Sequence, residues 1–131
     1  MVLPRMQNKI HIGTSGWNYD HWKEVFYEKR CPKSQWLKFY TTYFNSVEVN
    51  ANFYRSMSHK TYETWRQNTP QEFIWSVKAN RYITHIKRLK DIAEPLKRFF
   101  DESSGLKEKH GIGIRICILT MMPWGMHLKM P

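Results

Sequence analysis

Cysteine is scarce in this sequence, which has Cys31 and Cys117 among its 131 residues. The two are widely separated and form no CxxC pair, a usage typical of reduced thiols in a cytoplasmic protein. Long apolar runs are absent as well. No stretch approaches the roughly 20 apolar residues of a membrane span, and the opening segment MVLPRMQNK lacks the apolar run of a signal peptide. We therefore expect a cytoplasmic protein with no membrane partner.

Acidic residues are also few, with 11 Asp and Glu against 21 Lys and Arg, for a formal net charge of +10. Such a balance favours partners that carry phosphates, including nucleic acid. The histidines show no metal-ligand spacing such as HExxH, so we expect no metal site. The glycine-containing segment GTSGW lacks the spacing of a phosphate-binding or dinucleotide-binding loop. The sequence therefore does not indicate which cofactor, if any, the protein uses.

The apolar residues of the chain recur in alternating strand-like and helix-like segments. Alternation predicts strands over 9–16, 47–54, 73–80 and 111–119. Helices are predicted to begin at Ser34, at Ser58 and at Asp91 or Glu94, with Leu96, Phe99 and Phe100 as the buried stripe of the third. The order is β-α-β-α-β-α-β, and its connections suit parallel strands. With 131 residues and 15% aromatics, we expect one α/β domain with a sizeable core.

The second predicted strand, VEVNANFY, carries polar residues where a doubly wound sheet would be apolar. Val47 and Val49 point to one face, while Glu48 and Asn50 point to the other. Polar residues also occupy the corresponding face of the other strands, with His11 on the first strand and Ser76 and Lys78 on the third. Parallel strands are covered on both faces, so the polar side fits the interior of a barrel better than a helix layer. The pattern favours a TIM-type (β/α) barrel.

Three consecutive motifs carry a family resemblance. The segments GTSGWNYDHW, PKSQWLKFYTTYFNSVEVNANFYR and FIWSVKANRYITHIKRLKD resemble the YecE-like family, also called domain of unknown function 72. The resemblance covers residues 9–109 and implies a TIM-type barrel roughly twice as long as this chain. It implies no established biochemical activity.

The sequence departs from the family after residue 109. The family's fourth strand resembles G-P-I-L-F-Q-L-P-P, whereas this chain reads HGIGIRICILTMMPWGMHLKMP over 110–131. We expect residues 1–131 to form a single incomplete barrel domain, a partial barrel truncated or frameshifted near residue 110, with 110–131 as a divergent tail. A half barrel leaves two open strand edges, so self-association is expected if it folds.

The loop after the first strand holds the first group of candidate ligand-binding residues. Glycines there allow close approach of a ligand to the backbone, and aromatic rings supply flat surfaces for stacking. The candidates are Ser15, Trp17, Tyr19 and Trp22. The alternative is that Trp17 and Trp22 only plug the barrel mouth.

The strand ends hold the candidate catalytic residues Glu48, Lys78 and His85. In a functional interpretation Glu48 is a general acid or base, Lys78 binds an anion or transfers a proton, and His85 moves a proton. In a structural interpretation Glu48 and Lys78 form an ion pair that stabilises a polar interior. The resemblance and the neighbouring positions add further ligand-binding candidates: Asn50, Tyr54, Arg81 and Thr84.

Two functions follow from these features, and a third outcome stays open. The first is binding of a small anionic or sugar-like molecule at the C-terminal strand ends, with or without catalysis. The second is a non-catalytic nucleic-acid-binding module that uses the net charge and the basic segment 78–90. The third is a truncated product with no activity of its own.

Overall fold

The computed structural model describes residues 10–110, which form an α/β fold around a three-stranded parallel sheet. The strands are β1 (Gly13–Ser15), β2 (Ser46–Val49) and β3 (Ile74–Val77). The α-helices are α1 (Trp36–Tyr40), α2 (Ala51–Tyr54), α3 (His59–Gln67) and α4 (Ala93–Ser103). Three 3₁₀ turns occupy Asp20–Trp22, Lys33–Gln35 and Ser104–Lys109, and a π-helical turn occupies Tyr82–Ile86. In this part of the chain no helix has both the length and the apolarity needed to cross a membrane.

The strands lie in the order β1-β2-β3, with every neighbouring pair parallel. Glu48 in the middle strand is aligned with Ser15 on one side and Ser76 on the other. His110 then forms a parallel bridge with Trp75, so the chain returns to the outer edge of β3. The strand order along the sheet is therefore the order along the sequence, as the alternating pattern predicted.

One face of the sheet is covered by an aromatic core. Val47, Val49 and Val77 are buried on this face together with Trp75. The Trp65 ring of α3 stacks on Trp75 with ring centroids 5.3 Å apart. Each such aromatic pair stabilises the fold by about 0.5–1.5 kcal/mol beyond the area that it buries. The helices therefore pack against the valine and tryptophan face and leave the opposite face to polar residues.

A tyrosine of α1 joins the first two strands. The Tyr40 hydroxyl accepts a hydrogen bond from the Thr14 amide at 2.8 Å and donates one to the Ser46 carbonyl at 2.9 Å. Its ring is fully buried in the core. A buried tyrosine needs a partner for its hydroxyl, and here that partner is the sheet backbone itself. Tyr40 thus fixes both the packing of α1 and the relative position of β1 and β2.

The 3₁₀ turn at Ser104–Lys109 packs closely against α3. A Cβ at Gly105 would collide with the backbone of α3 at His59 and Glu63. The buried Lys109 ammonium donates to the carbonyls of Arg66 and Thr69 at the C-terminal end of α3, each at 2.6 Å. Burial lowers the pKa of Lys109, because the ammonium has left water. The amine nevertheless satisfies carbonyls that α3 cannot pair by itself.

Several predicted features are confirmed. The three strands and the three main helices occur in the predicted order. Ser58 caps α3, since its Oγ accepts from the Thr61 amide at 3.2 Å. Phe73 and Ala79 are buried on the same side as Trp75 and Val77, as the alternation of the third strand predicted.

Other predicted features are wrong. The second strand ends at Val49 instead of Tyr54, because the backbone leaves the extended conformation at Asn50 (φ −103°, ψ −19°) and enters α2. Ser34 lies inside a 3₁₀ turn and is not the cap of α1. Phe100 is 41% exposed, so it is not part of the buried stripe of α4. The predicted fourth strand, 111–119, lies outside the described residues.

We expect Lys109→Met to lower the free energy of unfolding by about 1–3 kcal/mol, because two buried carbonyls lose their donor. Urea unfolding followed by tryptophan fluorescence measures this change. Lys97→Met is the matched control, since Lys97 is exposed on α4. Equal stability of the two variants would show that the Lys109 hydrogen bonds contribute nothing.

Candidate functional site

The sheet face opposite the core carries a shallow groove of about 290 Å³. We call this the polar face. The groove is lined by His11, Gly13, Thr14, Ser15, Ser46, Val47, Glu48 and Ser76. Glu48 lies at its centre, because the parallel register places Ser15 and Ser76 on either side of it. His11, Glu48 and Ser76, which were expected to share one face of the sheet, all line this groove, whereas Asn50 and Lys78 are not among its lining residues.

A chain of hydrogen bonds crosses the polar face at the carboxyl ends of β1 and β2. The Asn50 amide nitrogen, Nδ2, donates to Ser15 Oγ at 2.5 Å. The Ser15 hydroxyl then donates to Glu48 Oε1 at 3.0 Å. Asn50 Oδ1 is buried and has no hydrogen-bond partner in the described structure. The Glu48 carboxylate lines the groove and can accept further hydrogen bonds from a bound molecule, whereas Asn50 Oδ1 is covered by the protein.

The loop after β1 holds Ser15 in position. The Gly16 amide donates to the Glu48 carbonyl at 2.8 Å, which extends the pairing of the two strands. The Tyr19 hydroxyl donates to the Ser15 carbonyl at 2.5 Å. Gly16 has φ +85°, and a Cβ there would collide with the Tyr19 ring. Tyr19 therefore supports the serine through its backbone, and glycine is required at position 16.

Lys78 and His85 meet at one aromatic ring. The Lys78 ammonium lies 4.7 Å from the centroid of the Phe53 ring. The His85 ring stands edge-on to the same Phe53 ring, with centroids 5.3 Å apart. His85 Nδ1 also shares a hydrogen bond of 2.7 Å with the buried Thr84 hydroxyl. Phe53 thus brings a cation and a titratable imidazole to the same end of the sheet.

The ion pair expected between Glu48 and Lys78 is not formed within residues 10–110. Glu48 is hydrogen-bonded to Ser15, and the Lys78 ammonium is placed over Phe53. The reason is the turn at Asn50, which starts α2 early and carries Phe53 to the lysine. The structure therefore does not support the interpretation in which a Glu48–Lys78 ion pair stabilises a polar interior.

The tryptophans of the first loop pack against the core, and both remain partly exposed. Trp17 packs edge-on against Trp65 and Trp75, with centroids 5.1 and 5.3 Å apart. The ring centroid of Trp22 lies 5.6 Å from that of Phe26 and 6.1 Å from that of Tyr27. Both rings therefore contribute to the core, and their role in the wall of a binding site stays a prediction.

The two remaining ligand-binding candidates lie on the surface. Tyr54 is 74% exposed and contacts only the ring of Phe53 among the aromatic side chains described. Arg81 is exposed at the start of the π-helical turn. Neither contacts Ser15, Asn50 or Glu48, so the structure does not bring them to the polar face.

Two residues that sequence reasoning missed hold the end of the sheet together. The Asn52 amide nitrogen donates to the Lys78 carbonyl, and the Asn80 amide nitrogen donates to the Asn52 carbonyl at 2.8 Å. Both asparagines lie three residues beyond the end of a strand, close to where polar residues mark functional ends of parallel sheets, and that position was the available signal. Phe53 was missed because the strand prediction placed it on the core side.

The geometry suits recognition of a small polar molecule better than binding of a metal. No group of three His, Cys, Asp or Glu residues that could hold a metal ion occurs among residues 10–110. The hydrogen-bond acceptors of Glu48 and Asn50 lie at one end of the sheet, where the Lys78 cation and the His85 imidazole also lie. Such a set can bind hydroxyl groups and negative charge at once.

Comparison with known proteins agrees with the fold. The family model of the "Protein of unknown function DUF72" family matches residues 11–123. The chain belongs to this family. The resemblance inferred from the sequence motifs is thereby confirmed, and the match continues past residue 109.

The relatives and solved structures that this chain matches are longer than the chain itself. The "UPF0759 protein YunF" of Bacillus subtilis is 27% identical over 117 residues, which are 88% of this chain and 40% of that protein. A DUF72 family structure from Thermotoga maritima is 31% identical, with a TM-score of 0.66 over 77% of this chain and 41% of its own. An Enterococcus faecalis DUF72 structure has 18% identity and a TM-score of 0.60, covering 78% and 37%, and shows the fold alone.

We expect Phe53→Leu to separate Lys78 and His85, because leucine offers neither a ring face for the ammonium nor a ring edge for the imidazole. The His85 ring protons should shift in the ¹H NMR spectrum. Phe100→Leu is the control, since Phe100 contacts Phe99 and lies on α4. Unchanged His85 resonances in Phe53→Leu would contradict the shared-ring arrangement.

Proposed function

We propose that this DUF72 chain is part of a TIM-type barrel and binds a small anionic or sugar-like molecule at the carboxyl ends of its strands. The parallel sheet with strands in sequence order, and the polar side chains on one of its faces, support the barrel. In such barrels the ligand lies at the carboxyl ends of the strands. The chain spans about 40% of the length of the relatives that it matches, and this function is proposed for the part described.

The observation that carries the proposal is the Asn50–Ser15–Glu48 hydrogen-bond chain. The Ser15 hydroxyl has one proton, and that proton is already donated to Glu48. Asn50 keeps a buried acceptor oxygen without a partner. An unsatisfied buried acceptor costs free energy, and a ligand hydroxyl would relieve that cost by displacing the protein atoms that cover it. A molecule with several hydroxyl groups fits these acceptors.

The charged side chains extend the same site towards an anion. The Lys78 ammonium and the His85 imidazole flank Phe53 on the side of β3. They would hold a phosphate or carboxylate of the ligand, while Glu48 accepts hydroxyl protons. If the full protein catalyses a reaction, Glu48 would act as the general base and His85 as the proton carrier.

We expect Glu48→Gln to weaken ligand binding at least about tenfold, since a charge-assisted hydrogen bond contributes about 1.5–3 kcal/mol. Glucose 6-phosphate and glucose serve as probes, and ¹H–¹⁵N NMR titration gives both the affinity and the residues affected. Glu28→Gln is the matched control, because Glu28 is exposed in another loop. Binding that is unaffected by Glu48→Gln, or no binding of either probe class, would contradict the proposal.

A second candidate function, nucleic-acid binding, is favoured by one surface feature. Arg81, Arg88 and Lys90 are all exposed around the π-helical turn, and the Tyr82 ring beside them is 43% exposed. Segment 78–90 holds no acidic residue. Basic side chains with an accessible ring can grip a single strand through phosphate contacts and base stacking.

If this surface binds RNA, the affinity for a fluorescein-labelled oligo(U) should fall steeply as the salt concentration rises. In a plot of the logarithm of the binding constant against the logarithm of the salt concentration, each phosphate contact adds about 0.7 to the steepness of the slope. The triple variant Arg81→Gln/Arg88→Gln/Lys90→Gln should lose that slope. Arg30→Gln/Lys38→Gln/Lys60→Gln removes the same charge from other exposed positions and is the control. Fluorescence anisotropy measures the affinity and its salt dependence. An equal loss of affinity in the two triple variants would show that binding depends only on net charge and not on this surface.

A further inference from the structure

A second cavity, separate from the polar face, lies between α4 and the ends of β2 and β3. Its volume is about 500 Å³, within the range of small-molecule sites. The lining residues fall between positions 52 and 102, in the part of the chain that the structure describes. They include Asn52, Tyr82, Glu94, Arg98 and Phe99.

The cavity has apolar walls. Phe99 is buried on α4, and Ile83 is buried in the π-helical turn. Pro95 and the Tyr82 ring also line the space. Walls of this kind bury the hydrocarbon or aromatic part of a ligand, which supplies most of the binding free energy of a small molecule.

The most deeply buried polar side chain of the cavity, that of Asn52, lacks a partner among residues 10–110 for its acceptor oxygen. Asn52 is 2% exposed, and its amide nitrogen is committed to the Lys78 carbonyl, which fixes the orientation of the amide. Its oxygen, Oδ1, has no hydrogen-bond partner in the described residues. Asn80, by contrast, has a hydrogen-bond partner on each side-chain atom. Its nitrogen donates to the Asn52 carbonyl, and its oxygen accepts from the Tyr82 amide. A ligand that satisfies Asn52 must therefore bring a hydrogen-bond donor.

The charges of the lining favour a cation. Arg98 Nε donates to Glu102 at 2.9 Å, so one positive and one negative charge of the lining form an ion pair, with the Arg98 side chain largely exposed. Glu94 forms no ion pair among residues 10–110 and is exposed at the start of α4. The remaining carboxylate gives the lining a formal charge of −1 within a chain whose net charge is +10. An amine provides both the donor that Asn52 lacks and the positive charge that Glu94 lacks.

We propose that this cavity binds a small organic amine, with its hydrocarbon body between Tyr82 and Phe99 and its ammonium near Asn52 and Glu94. This assignment differs in ligand charge from the polar face, where Lys78 and His85 favour an anion. It does not depend on the function proposed for that face.

Benzylamine, benzyl alcohol and benzoate form a matched set of probes, with one ring and three different head groups. In ¹H–¹⁵N NMR titrations of the 131-residue chain, benzylamine should shift the backbone amide resonances of Asn52, Tyr82 and Phe99. Benzyl alcohol should bind more weakly at the same residues, and benzoate should not bind there. Benzoate binding as tightly as benzylamine, or shifts at other residues only, would overturn the proposal.

Two variants separate the charge from the walls. Glu94→Gln should weaken benzylamine about fivefold, the upper range for an exposed ion pair, and leave benzyl alcohol unchanged. Tyr82→Ala should weaken both, because it removes a wall of the cavity. Glu28→Gln, in another loop, should change neither. Benzylamine affinity that is the same in Glu94→Gln and the parent chain would overturn the role of the carboxylate.

Discussion

The parallel alignment of Ser15, Glu48 and Ser76 across three strands is the constraint on which the rest of this structure depends. A shift of one residue in β2 would turn Glu48 into the core and Val47 out of it, because side chains alternate between the faces of a strand. Burial of Val47 and Val49 beside Trp75 therefore determines which polar residues reach the opposite face. The hydrophobic core and the polar site are two consequences of one register.

The carboxyl end of the sheet serves two purposes through the short helix α2. Its start at Ala51 ends the strand, brings Phe53 to Lys78 and buries Asn52 against the Lys78 carbonyl. Asn52 lines the cavity beside α4 and also donates to the backbone of Lys78 at the end of β3. One asparagine thus supports the position of a cation on one side and presents an unpaired acceptor on the other. The two proposed sites share their structural support but differ in the charge of the molecule that they favour.

Much of the fold and part of the site could be predicted because their signals are local. Alternation placed Phe73, Trp75, Val77 and Ala79 on one face, and Ser58 was read as a cap from its own chemistry. The candidate residues Ser15, Glu48 and Asn50 do meet. The partner of Lys78 was not predicted, because it depends on where β2 stops. The positions of Trp17 and Trp22 were not predicted either, since a ring near a loop can pack into a core or into a pocket with the same sequence pattern.

The sequence by itself determined the order of strands and helices, the family and the polar character of one sheet face, since these follow from the periodicity and chemistry of neighbouring residues. Only the tertiary structure decided which of those polar groups are partners. Ser15 and Asn50 are 35 positions apart, and Lys78 and Phe53 are brought together by a turn that strand periodicity does not reveal. Contacts between distant residues depend on the register of the strands and on the point where each strand ends. Both are set by the packing of the whole core and not by any single segment.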